Sequence, residues 1–188
     1  MKITVLSGST IGSKTRTAMT YVRSFIEKNY PDEEVTLLDL ADFDLVFSDG
    51  RDFREYKGDT KIVTETLMAS DVILVGTPIF QASIPGSLKN VFDLLPQDGL
   101  RDKVAGILVT AGSAKHYLIA ETQLKPILSY MKAQIVQTYT FMEERDFYRK
   151  EIVNEDALFR IERLIEDTMV LVETYQKAKA AKEAQYGF

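Results

Sequence analysis

Along the whole chain, short apolar runs rich in β-branched residues alternate with stretches in which apolar positions recur every three to four residues. The runs at 2–6, 35–40, 71–76, 104–110 and 134–141 predict five strands, each bounded by turn-forming residues. The third and fourth are almost wholly apolar, the pattern of central strands covered on both faces. The periodic stretches predict helices at about 15–29, 60–69, 87–95 and 115–131, with Pro126 expected to end, kink or split the last. A long fifth helix, about 154–184, starts near Asn154, a capping residue followed by Glu155 and Asp156 where the helix dipole favours acids. Its apolar stripe runs from Leu158 through Ile161, Ile165 and Met169 to Tyr175, beyond which the sequence reads as a polar helical end.

Five strands each followed by a helix, with no repeat or low-complexity linker, predict a single doubly wound α/β domain over 1–188, with helices on both faces of a parallel sheet. Right-handed crossovers leave few strand orders, and the flavodoxin-like 2-1-3-4-5 is the common five-stranded one. In that order the chain reverses direction between strands 1 and 3, so a ligand crevice is expected where loops 7–15 and 77–86 meet. These are also the two most unusual loops in the sequence. Segment 41–59, charged and aromatic, is long enough either to cover a ligand or to pack as a surface loop.

Strand 1 runs into Ser7-Gly-Ser-Thr-Ile-Gly-Ser-Lys-Thr-Arg-Thr17, where glycines permit a tight turn and Ser9, Thr10, Ser13 and Thr15 offer hydroxyls. The helix that follows opens with unpaired N–H groups and a positive dipole end, which suits a phosphate, and Lys14 and Arg16 add positive charge. Gly8-x-x-x-x-Ser13-Lys14-Thr15 is also a near-match to a nucleotide-binding P-loop. There Lys14 would meet the terminal phosphates and Thr15 a magnesium ion. A serine replaces the second glycine, however, and only Asp39 loosely supplies the required acid. The Gly-x-Gly-x-x-Gly dinucleotide fingerprint is absent after strand 1, and Leu6-Ser7 offers no acidic pair for a phosphoacceptor. A second Gly/Ser turn, Thr110-Ala-Gly-Ser113, follows strand 4.

Composition narrows the chemistry. With no cysteine and one histidine, thiol nucleophiles, disulfides, histidine metal clusters and catalytic triads are excluded. A net charge of −5 argues against a nucleic-acid footprint. No apolar run reaches the length of a membrane span, and the chain enters a strand directly, so a cytoplasmic location and no membrane partner are expected.

The segment from Gly76 to Pro96 resembles the second flavin-binding loop of the NAD(P)H-dependent FMN reductases, close to the members that feed sulfonate monooxygenases. Thr77, Pro78, Phe80, Ser83, Gly86, Leu88, Lys89, Asp93 and Pro96 carry the match. Gly8, Ser9, Ser13 and Thr15 match the family's first loop with one residue fewer, and Ile11 stands where many members carry arginine. Thr110, Gly112, Ser113 and His116 resemble its third loop, and Thr122 stands where sulfonate-linked members often carry tyrosine. The resemblance implies that FMN phosphate is held by Ser9, Ser13, Thr15 and, in place of the missing arginine, Arg16. It places the flavin ring against Thr77, Pro78, Ile79, Phe80, Gln81 and Ser83, with Thr110, Gly112 and Ser113 at its pyrimidine edge. It further implies hydride transfer from NADPH or NADH to FMN, and an acceptor such as a flavin-dependent monooxygenase. A homodimer or homotetramer is the implied assembly. A flavodoxin-type electron carrier, and a quinone or azo reductase using the same site, are the alternative readings.

Overall fold

The predicted runs pair as parallel strands. β1 (Lys2–Ser7) lies between β2 (Glu34–Asp39) and β3 (Val72–Pro78), and β4 (Val104–Ala111) continues the sheet beside β3. The computed structural model, which describes residues 1–186, has the strand order β2-β1-β3-β4-β5, the flavodoxin-like order expected from the sequence.

Although nearly every residue of the central strands is apolar, the side chains still alternate between two cores. Leu6, Val75 and Ile107 face one, together with residues of α2 (Gly58–Ala69), α3 (Gly86–Asp93) and α4 (Lys125–Tyr130). Val5, Leu74 and Leu108 face the other, against Met19 and Ile26 of α1 (Lys14–Asn29) and Ile161, Ile165 and Met169 of α5 (Glu155–Tyr186). The helix α5 approaches the sheet at Gly106, where a Cβ would stand 2.5 Å from Leu74 Cδ2 and 2.9 Å from Thr168 Oγ1. A side chain there would push the helix off the sheet, so this contact requires glycine.

Three local features depart from the sequence reading. The fifth strand is broken into β5 (Gln134–Ile135) and β6 (Thr140–Glu143), both paired with β4. The residues between them turn aside to bind the segment after β4. The Tyr139 hydroxyl donates to the Tyr117 carbonyl at 2.6 Å, the two rings pack at 5.1 Å, and Lys125 Nζ donates to the Gln137 carbonyl at 2.7 Å. These bonds replace the ladder that an unbroken strand would have made.

The predicted helix 115–131 is likewise divided, into a 3₁₀ turn at Ala114–His116, a π-helical turn at Ala120–Leu124 and then α4. Pro126 lacks an N–H and its ring crowds the carbonyl one turn earlier, so the helix widens ahead of it. Finally, a hairpin of β7 (Phe147–Tyr148) and β8 (Glu151–Ile152) precedes α5. Segment 41–59 is pinned along α2 and α3. Ser48 N donates to Asn90 Oδ1 at 2.9 Å, Asn90 Nδ2 to the Val46 carbonyl at 3.0 Å, and Val46 N to Thr60 Oγ1 at 3.1 Å.

Burial, then the neighbouring Tyr117, pushes the Tyr139 phenol well above its ordinary value of 10. The folded protein therefore holds this phenol neutral where the unfolded chain ionises it. Its stabilising contribution is complete below pH 10 and is lost as pH rises from there through the folded value. Urea denaturation of the wild type and Tyr139→Phe at pH 8 and pH 10.5 should show the wild type losing more stability across that interval. Parallel losses would show that the fold does not raise the Tyr139 phenol.

Candidate functional site

At the carboxyl edge of the sheet, β1, β3 and β4 open into a cavity of about 350 Å3. One wall is the β1–α1 turn, with Ile11, Gly12, Ser13, Lys14 and Thr15. Opposite lie Pro78, Ile79 and Phe80 from the end of β3 and Thr110, Ala111 and Gly112 from the end of β4. The volume is that of a small-molecule site.

The turn is held close to β3. Gly8 N donates to the Gly76 carbonyl at 2.7 Å, and a Cβ on Gly8 would meet that same oxygen at 2.9 Å. The Thr15 and Thr110 hydroxyls bond each other at 2.7 Å, both residues being buried, and tie the first turn of α1 to β4. Ser9, also buried, uses its hydroxyl to close the turn on the Ile11 carbonyl.

At the head of α1 the usual capping chemistry is missing. Ser13 occupies the N-cap but its hydroxyl makes no capping bond, and no acid lies in the first turn. The first intrahelical bond runs from Thr17 N to the Ser13 carbonyl at 2.8 Å, so the preceding helical N–H groups have no intrahelical acceptor. Lys14 and Arg16 stand where the dipole disfavours cations. An anion at this position would satisfy the free donors and oppose both charges.

Lys14 and Arg16 face different ways. About 100° of helix rotation per residue puts Arg16 roughly 200° from Lys14. Lys14 lines the cavity, and its ammonium reaches Glu144 at 2.7 Å, an ion pair that holds the Glu144 carboxyl below the ordinary carboxylate range. Arg16 lies outside the lining, a departure from the sequence expectation. Its Nε sits 2.9 Å from the buried Asp39 Oδ2, off the N–H direction so that charge pairing dominates, and its NH2 group bonds Asp42 at 2.5 Å. The two carboxylates at the end of β2 draw it away from the turn. The sequence reading preferred Arg16 as the phosphate ligand, whereas Lys14 borders the cavity; the rotation along the helix was the signal that separates them.

The apolar wall is shaped by a tight reversal. Phe80 N donates to the Ser83 carbonyl at 2.9 Å and Ser83 N returns the bond at 3.0 Å, closing a two-residue turn. Gln81 and Ala82 both take positive φ, 48° and 58°, in the left-handed region that non-glycine residues disfavour. The turn leaves Phe80 38% exposed at the cavity mouth. Thr77 is fully buried with its hydroxyl on the Pro78 carbonyl at 2.9 Å, and Ser83 bonds Gln123 of the π-helical turn. Ser9, Thr77, Gln81, Ser83 and Ser113 are not part of the cavity lining. Ile11, Gly12 and Ala111 line it although the sequence reading did not select them, as does Lys14, which that reading named only as nearby positive charge and as a P-loop lysine.

Lys14 is the one ionisable side chain lining the cavity, and among the described residues no cluster of His, Cys, Asp and Glu could hold a metal. The site offers a phosphate-compatible helix end beside an apolar slot between Pro78–Phe80 and Ala111–Gly112. No carboxylate or histidine lines it.

The family model for NADPH-dependent FMN reductase matches residues 1–147. An NAD(P)H-dependent FAD/FMN reductase of Geobacillus thermodenitrificans is 38% identical over 165 residues, covering 87% of this chain and 89% of that protein. An FMN reductase (NADPH) of Escherichia coli is 30% identical over 173 residues, with 88% and 87% of the two chains covered. Among solved structures, an NADH:FMN oxidoreductase in its apo form superposes with a TM-score of 0.78 at 26% identity, over 90% of this chain and 88% of the other. Together with the cavity at the β1 and β3 edges, these similarities make the chain a member of the NADPH-dependent FMN reductase family.

Proposed function

We propose that this protein, working as one flavin-binding domain, reduces FMN at the expense of NADPH or NADH. The observation that carries the proposal is the head of α1: an unused cap hydroxyl, free N–H groups and the Lys14 ammonium, opening directly onto an apolar slot. Ser13, Lys14 and the first N–H groups of α1 would hold the phosphate, with Ser9 and Thr15 fixing the turn. The Thr77–Ser83 segment would support the ring through Pro78, Ile79 and Phe80, with Gln81 and Ala82 forming the turn that presents them. Thr110, Gly112 and Ser113 would border the pyrimidine edge.

FMN and the nicotinamide supply the redox chemistry of this family, hydride moving between the two rings. The chain therefore positions and shields. It needs no side chain to carry a proton, consistent with a lining that holds only Lys14 as an ionisable group. The open, partly exposed face at Phe80 leaves room for a nicotinamide to approach.

Reduced flavin passed to an acceptor such as a flavin-dependent monooxygenase fits the resemblance of the 76–96 segment. Assembly as a homodimer or homotetramer would cover apolar side chains left exposed at Val46 (53%), Phe47 (82%) and Tyr130 (64%). A net charge of −5 supports small-molecule rather than nucleic-acid partners. Among the described residues no helix is long and apolar enough to cross a membrane, which fits a cytoplasmic role.

NADPH and NADH oxidation by the purified protein, followed with and without added FMN, is expected to rise with FMN and saturate. A colourless protein that oxidises neither nucleotide in the presence of FMN would contradict the proposal. Lys14→Met should raise the KM for FMN about tenfold with kcat little changed, the loss of one charge-assisted contact. Arg16→Ala should instead lower thermal stability, by about 1–2 kcal/mol for a half-exposed partner of a buried carboxylate, with a smaller effect on FMN. The reverse pattern in the two variants would return the phosphate role to Arg16.

A further inference from the structure

Glu144 has no part in the proposed hydride transfer, yet its carboxylate lies 2.7 Å from the Lys14 ammonium, the one ionisable group lining the main cavity. The pair joins two distant parts of the chain, the first turn of α1 and the 3₁₀ turn Glu144–Asp146 that follows β6. It sits where the main cavity meets a second one of about 220 Å3, since Lys14 lines both and Glu144 only the second.

The backbone that carries Glu144 is firmly held. Asp146 is buried and accepts from Glu143 N at 2.8 Å through one oxygen and from Asn154 Nδ2 at 2.6 Å through the other. Its carbonyl accepts from Val153 N at 2.9 Å. These three bonds fix the turn against the start of α5, so the carboxylate is delivered to Lys14 by the fold. An ammonium has three N–H donors and a single charge. In the free protein Glu144 takes a share of both, and a phosphate arriving at the head of α1 must displace the carboxylate or divide the ammonium with it. Arg149 and Lys150 line the same second cavity and pair with no acid among the described residues. A displaced carboxylate therefore stays near positive charge, which keeps the competition mild.

We infer that Glu144 sets how tightly the site holds the flavin phosphate, by competing with it for Lys14. This rests on the flavin reading above. Glu144 is then a specificity residue: it lowers the affinity for FMN, leaves that for riboflavin untouched, and so narrows the discrimination between the two. The opposite role, a carboxylate that brings Lys14 to the phosphate, is not needed here. Lys14 stands on a first turn already fixed by the Gly8–Gly76 and Thr15–Thr110 bonds, and its side chain lines the main cavity.

The test is Glu144→Gln, which keeps the size of the side chain and removes its charge. Melting temperature should hold, because the side chain is 71% exposed. Calorimetric titration should show FMN binding about three- to fivefold more tightly, the scale of an exposed ion pair, with riboflavin binding unchanged. Glu144→Gln added to Lys14→Met should change FMN binding no further, because the competition needs the ammonium. An unchanged FMN affinity, or a tightening that persists without Lys14, would overturn the inference and leave the FMN reductase reading intact. Weaker FMN binding would also overturn it, by giving Glu144 the orienting role. Equal tightening for FMN and riboflavin would move the effect to the ring slot, against the inference. A wild type that binds neither flavin would overturn the flavin reading as well.

Discussion

The structure around the site depends on one unfinished helix end. An α-helix that starts without a cap leaves several N–H donors unpaired, and cations in its first turn add to the mismatch. α1 keeps this arrangement because its turn is fixed from both sides. The Gly8–Gly76 backbone bond holds it to β3, and the buried Thr15–Thr110 hydroxyl pair holds it to β4. The donors are therefore presented to the cavity in a fixed direction, and a bound phosphate would supply what the sequence withholds.

The other unusual features of the chain serve the same edge of the sheet. Two residues with disfavoured backbone angles, Gln81 and Ala82, close the turn that carries Phe80. Ser83 of that turn is bonded to Gln123, on the π-helical turn that Pro126 imposes. That segment is in turn clasped by Tyr139, at the expense of continuity in the fifth strand. Regular structure is thus given up at three places, which hydrogen bonds and chain continuity link to the turn that carries Phe80. The far edge of the sheet, away from the cavity, keeps regular strands.

Much of this was legible in the sequence. Strand order followed from apolar runs alternating with amphipathic stretches, because burial on both faces leaves a strong hydrophobic signature. The position of the cavity followed from the order, since only one pair of loops meets at the switch point. What the sequence did not reveal has physical causes. The break in the fifth strand depends on contacts between Tyr139, Tyr117 and Lys125 that no local pattern encodes. The β7–β8 hairpin uses Arg-Lys where the recognisable turn signal is Asn-Gly. Arg16 and Lys14 look alike in composition, and only the rotation along α1, together with the buried Asp39, separates an internal ion pair from a cavity residue.

In the division of labour proposed above, the fold would anchor a phosphate and wall a ring, leaving the redox chemistry to the bound groups. The most direct measurement of that claim compares the affinity of the protein for FMN and for riboflavin, which has the same ring and no phosphate. If the head of α1 is the anchor, FMN should bind about 10- to 100-fold more tightly, the effect of charge-assisted hydrogen bonds worth about 1.5–3 kcal/mol. Equal affinities would contradict the account and show that the ring slot alone selects the ligand.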